Sequence, residues 1–145
     1  MNSYTLKDIH IGMKESFTYE ITLDMEDSFR HITGDINPLH RDDEFASKYF
    51  GSGHVTFGML TASMFSTLAG MYLPGKFSLI HSVEISFMKP VYVGDVLRYT
   101  GVVSEVREAL KLIELKVAVT RETTNETVCK SKMKVLLLEQ EEIQQ

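Results

Sequence analysis

The chain has 145 residues, 43% of them hydrophobic and 24% charged, with 20 acidic against 15 basic side chains and a formal charge of −5. That length accommodates one domain, residues 1–145, with a single substantial core, and the composition is that of an ordinary soluble globular protein. The acidic balance and the lack of a dense Lys/Arg cluster argue against a nucleic-acid partner, while a lone Cys129 excludes an intrachain disulfide and a metal site of several thiolates.

The first eight residues carry no apolar run of the signal-peptide kind, so a cytoplasmic location is expected. Up to Leu23, short apolar stretches around Gly12 read as strand and loop. Asp24 is expected to cap a short helix that turns Phe29 and Ile32 inward and closes at Gly34. A second short helix over residues 43–49 would place Phe45 and Tyr49 on one face, before Gly51-Ser52-Gly53 breaks the chain. Residues 57–72 have helical spacing but are apolar nearly all round, the pattern of a helix surrounded by other structure. Thr61, Ser63, Ser66, Thr67 and Gly70 interrupt the stretch, which argues against a membrane span. Leu73-Pro74-Gly75 stops it.

From there the period changes to two. Leu79, His81, Val83, Ile85 and Phe87 alternate with Ile80, Ser82, Glu84, Ser86 and Met88, and residues 91–103 turn at Gly94-Asp95. Ile113, Leu115, Val117 and Val119 alternate with polar neighbours, as do Cys129, Ser131, Met133, Val135 and Leu137 against Lys130, Lys132 and Lys134. Strands joined by short turns after one buried helix predict an antiparallel α+β domain. The polar tail, residues 139–145, is expected to fray.

The segment Thr33-Gly34-Asp35-Ile36-Asn37-Pro38-Leu39-His40 carries the most chemical information. It sets a carboxylate and an imidazole on one turn stiffened by Pro38, a pairing suited to moving a proton near neutral pH. On spacing alone the same residues read more readily as turn chemistry: Asp35 bonded to nearby backbone and His40 a satisfied loop histidine.

Gly34-Asp35-x-Asn37-Pro38-Leu39-His40-x-Asp42-x-x-Phe45-Ala46 resembles the signature of MaoC-like (R)-specific enoyl-CoA hydratases. The resemblance continues through Phe57-Gly58-Met59-Leu60-Thr61-Ala62-Ser63, Leu73-Pro74-Gly75 and Phe87-x-x-Pro90-Val91-Tyr92-Val93-Gly94-Asp95. It implies a hot-dog fold, an antiparallel sheet wrapped around a central helix. It also implies that Asp35 and His40 form the hydratase dyad, that the Gly58 N–H holds the thioester oxyanion, and that Asn37 and Ser66 contact substrate or water. Ser66 has the alternative of bonding back to its own helix. No metal or organic cofactor is implied, the substrate being an acyl thioester of CoA or of an acyl-carrier protein. A homodimer or larger homo-oligomer is expected, with no nucleic-acid and no membrane partner.

One departure stands out: Phe57 occupies the position where the family usually has histidine. His54 is not assigned that missing role, because a Gly-rich loop position gives it no fixed direction. His10, His31 and His81 make no metal-ligand pattern, and Lys130, Lys132 and Lys134 read as a solvated strand face rather than a phosphate site. Two other functions fit the same fold. A hot-dog thioesterase would want a carboxylate on the central helix, and residues 57–72 contain none. A non-catalytic acyl-thioester-binding subunit is supported by Phe57 and opposed by the intact Asp35/His40 pair.

Overall fold

The alternating runs fold into five strands, β1 (Lys14–Glu20), β2 (Ser78–Phe87), β3 (Val96–Arg107), β4 (Leu112–Arg121) and β5 (Thr127–Leu137). A computed structural model describes residues 1–138; the tail expected to fray lies outside the described residues. The strands form one antiparallel sheet in the order β1-β3-β4-β5-β2. Among the described residues three α-helices lie between β1 and β2: α1 (Leu23–Thr33), α2 (Asp43–Ser47) and α3 (Gly58–Thr67).

The core lies where α3 crosses the three middle strands. Leu60, Ala62 and Phe65 of α3, followed by Leu68 and Ala69, are buried together with Leu97, Tyr99 and Val103 of β3, Leu115 and Val119 of β4, and Met133 and Val135 of β5. Gly101 of β3 permits this approach, since a Cβ there would stand 2.9 Å from Leu68 Cδ2. The Tyr99 hydroxyl, buried in the same layer, donates to the Thr61 carbonyl at 2.8 Å. Burial pushes that phenol well above its usual value.

Several local expectations change. The expected helix over residues 57–72 is α-helical only to Thr67; Leu68–Tyr72 widens into a π turn. The helix is also covered on one side only, with Met59 58% and Met71 43% exposed, so an all-round apolar pattern here does not mean all-round burial within one chain. Thr22 rather than Asp24 caps α1, its hydroxyl accepting the Met25 N–H at 3.2 Å. Ile32 is 79% exposed; the inward side of α1 instead carries Glu26, which is buried. A rule that turns apolar residues inward misses a polar residue whose partner is remote in sequence.

Gly34 does close α1, at φ 70°, with its N–H bound to the Arg30 carbonyl. The second helix ends earlier than expected, at Ser47, yet Phe45 and Tyr49 still meet, 5.5 Å between ring centroids. β2 lies at an edge of the sheet and is almost wholly exposed, with a register shift between Ile80 and Ser82 against β5. No helix among the described residues is long and apolar enough to cross a membrane.

Candidate active site

The motif between α1 and α2 folds through a chain of side-chain-to-backbone bonds. Asp35 Oδ1 accepts the Asn37 N–H at 3.0 Å, and Asn37 Oδ1 accepts the Leu39 N–H at 2.9 Å. Pro38 then opens a 3-10 turn over Pro38–His40. Asp42 follows as the cap of α2, its Oδ1 accepting the Phe45 N–H at 3.0 Å. Each Asx side chain of the motif thus stops or starts a backbone segment. The result is to hand His40 to the next layer in one orientation.

His40 is half-buried and held on three sides. Its Nδ1 lies 3.0 Å from the Val55 carbonyl oxygen. A carbonyl only accepts, so Nδ1 carries the hydrogen and, in the neutral ring, Nε2 carries the lone pair. Its own carbonyl accepts Arg30 Nη2–H at 3.0 Å. Its ring packs on Phe57, with 4.4 Å between centroids. Phe57 in turn touches Phe29 at 5.0 Å and lies beneath the Arg30 guanidinium at 5.6 Å. The residue that departs from the resembled family is therefore a buried wall behind His40.

A pocket of about 310 Å³ opens beside this imidazole. His40, Val55, Thr56, Gly58 and Thr61 line it together with Phe87, Met88, Pro90 and Val91 and with Val128 and Cys129 of β5. Gly58 begins α3, where the first-turn N–H groups have no partner within the helix and the dipole favours negative charge. The Phe87 ring lies so close that a Cβ on Gly58 would meet it at 3.0 Å. Burial pushes the Cys129 thiol up to about 11, so it meets the pocket protonated rather than as a nucleophilic thiolate.

His40 and Gly58 thus share one cavity. Asp35 and Asn37 are exposed on the turn beside it, and Ser66 is exposed further along α3; none of these three lines the pocket. The sequence reading gave His54 no direction, but the structure gives it one: its two ring nitrogens lie against Glu26 and Asp43. A buried carboxyl at position 26 demands a partner, but neither its burial nor the partner 28 residues away is visible in the sequence. Those two nitrogens point to opposite carboxylates, and among the described residues no group of three or more His, Cys, Asp or Glu is placed to hold a metal ion.

Comparison with known proteins identifies the family. The family model for the MaoC like domain matches residues 8–127. An (R)-specific enoyl-CoA hydratase of Aeromonas caviae is 34% identical over 102 residues, 70% of this chain and 76% of that one. A 3-hydroxybutyryl-CoA dehydratase of Methylorubrum extorquens is 31% identical over 99 residues, 68% of this chain and 63% of the relative. The solved structure of the A. caviae (R)-hydratase involved in PHA biosynthesis superposes with a TM-score of 0.84 at 29% identity, covering 90% of this chain and 98% of that one. With its five-stranded antiparallel sheet and central helix, the chain has the hot-dog fold and belongs to the MaoC-like family.

Proposed function

We propose that the chain is an (R)-specific enoyl-thioester hydratase, a hydro-lyase that adds water across the C2–C3 double bond of a trans-2-enoyl thioester and runs equally as a 3-hydroxyacyl dehydratase. The observation that carries this is the shared cavity: the His40 imidazole and the amino end of α3 at Gly58 line the same largely apolar pocket. The activities named for the relatives support the same reaction class.

In this reading a water stands between Asp35 and His40. Asp35 takes a proton from it as its oxygen attacks C3. The double-bond electrons shift toward the thioester, building negative charge on the carbonyl oxygen. The Gly58 N–H, backed by the helix dipole, meets that charge. His40, as the imidazolium with its Nδ1–H on the Val55 carbonyl, delivers the Nε2 proton to C2 as the charge collapses back to the thioester, and the proton held by Asp35 then returns to Nε2 to restore both groups. The two groups act as one coupled pair. The steps need a base, an acid and an oxyanion donor, so the reaction is proposed to run without a metal or organic cofactor. Asn37 holds the turn that carries Asp35, and Ser66 is proposed to touch substrate or water from the uncovered side of α3.

A second copy of the chain is proposed to cover that side and the edge of the sheet. Leu79, Ile80, Val83 and Phe87 are all exposed on β2, and an apolar edge strand is a template for pairing. The deciding experiment is incubation of the purified homomeric protein with trans-2-enoyl-CoA, following loss of the conjugated thioester and the configuration of the product. Formation of (R)-3-hydroxyacyl-CoA is expected; a folded, inert protein refutes the proposal.

A further inference from the structure

Outside the pocket, three titratable side chains meet where α1, α2 and the loop before α3 converge. Glu26 of α1 is fully buried, and its Oε2 lies 3.0 Å from His54 Nε2. The other ring nitrogen, Nδ1, lies 2.5 Å from Asp43 Oδ1, which also accepts the His54 backbone N–H at 2.9 Å. Gly53, at φ +86°, makes room, since a Cβ there would stand 3.0 Å from that same oxygen. Burying a carboxyl beside an imidazole is costly unless both are satisfied. An apolar side chain at position 26 would fill the space without that demand.

What the cluster holds lies one residue further on. His54 precedes Val55, whose N–H binds the Leu39 carbonyl at 3.2 Å and whose own carbonyl takes His40 Nδ1. Arg30, one helical turn beyond Glu26 on α1, holds the His40 carbonyl from the other direction. Two successive positions on the inner side of α1 thus reach the two backbone segments that meet at His40.

We propose that Glu26, His54 and Asp43 are positioning residues for His40: they fix the Val55 carbonyl, and that carbonyl fixes the tautomer and direction of the imidazole. The kinetic consequence rests on the hydratase reading; the effect on the His40 ring does not. Free histidine favours the tautomer with hydrogen on Nε2. The Val55 carbonyl selects the other one and leaves Nε2 to face the chemistry.

The cluster is also sensitive to pH. A protonated His54 donates to both carboxylates, whereas a neutral ring donates to one and turns a lone pair on the other. Facing it are Glu26 from α1 and Asp43 from α2; Arg30, the cation of this corner, is engaged with Asp27 and the His40 carbonyl. Burial alone would lower the His54 pKa, but the hydrogen bonds to Asp43 and Glu26, with their charges, outweigh it and hold it above the ordinary value. As pH rises through that value, the grip on the Val55 segment loosens.

The test reads the ring nitrogens of His40 by 15N NMR across pH, in wild type, Glu26→Gln and Asp43→Asn, beside kcat and KM on trans-2-enoyl-CoA. Wild type is expected to hold the Nδ1–H tautomer until His54 titrates. Glu26→Gln should show mixed tautomers, a kcat about 10- to 100-fold lower with little change in KM, and an alkaline limb moved to lower pH. Asp43→Asn changes a side chain that is 73% exposed, so it reads the same shift with smaller size if the Glu26 variant does not fold. Folded variants with the wild-type tautomer and alkaline limb overturn the proposal. Tautomers that shift in a protein inert toward enoyl-CoA support the positioning role and refute the hydratase reading alone.

Discussion

His40 and Asp35 stand on one short turn and are held very differently. His40 is half-buried, with its ring nitrogen on a carbonyl, its own carbonyl on Arg30 and its face on Phe57. Asp35 is exposed, and its Oδ1 closes an Asx turn. In the proposed reaction the difference divides the labour: the group proposed as general acid, which must deliver its proton in one direction, is the one held against the core, and the carboxylate proposed to bind a water needs only proximity on a stiff turn. Ser66, on the face of α3 that also exposes Met59, is likewise left open by this chain.

The largest effects should come from the pair itself. His40→Gln and Asp35→Asn are each expected to lower turnover by about 10²–10⁴-fold with the fold retained, measured as hydration of trans-2-enoyl-CoA at matched circular dichroism. Wild-type rates in both would remove the chemistry from this turn.

Next is the oxyanion donor. Gly58→Pro deletes an N–H at the start of α3, where proline is tolerated, and should cost about 10²–10³-fold in kcat. Gly58→Ala keeps the N–H and presses a methyl group on Phe87, a neighbour that is 52% exposed and can yield. Its loss should be smaller. A folded proline variant with undiminished turnover would place the thioester oxygen elsewhere.

The open side is tested through β2. Val83→Lys puts a charge on the exposed edge and, if the proposed pairing of two copies uses this strand, should shift sedimentation toward the monomer. An unchanged oligomer would mean that the sheet edge is not the contact.

Smaller still is the effect of Phe57→His. Because this ring lies behind His40 and outside the pocket lining, restoring histidine is not expected to raise turnover. It should instead destabilise the fold by about 1–3 kcal/mol, by burying a polar ring beside Arg30, read as a lower Tm. An inert wild type switched on by Phe57→His would favour the non-catalytic subunit.

The smallest effect concerns pH. His54 has a folded pKa above its ordinary 6.5, so the folded protein binds its proton more tightly than the unfolded chain does. Its contribution is complete below that value and is lost as pH rises through the raised one. Tm should fall over this interval, and less steeply in Asp43→Asn; equal slopes would detach the effect from the cluster.

Much of this was legible in the sequence because its signals are local. Gly34, Asn37-Pro38 and Asp42 specify turns and caps through their own backbones, and the period-two runs became the sheet. The misses have two causes. Thr22 rather than Asp24 caps α1 through an equally local bond to the Met25 N–H, whereas Ile32 faces outward and Glu26 inward because a partner on a distant loop reverses the usual burial rule. His54 was unreadable for the same reason, its direction being set by Glu26 and Asp43, 28 and 11 residues away. The exposure of β2 and of one side of α3 was hidden because an apolar pattern records that a surface is to be covered, and not which chain covers it.

The most direct test of the account is turnover in the Asp35→Asn/His40→Gln double variant beside the two singles, all at matched fold and oligomeric state. If the two side chains work on one water as a unit, the double variant is little worse than the poorer single. Losses that multiply would mean that they act in separate steps, and would contradict the shared-water mechanism.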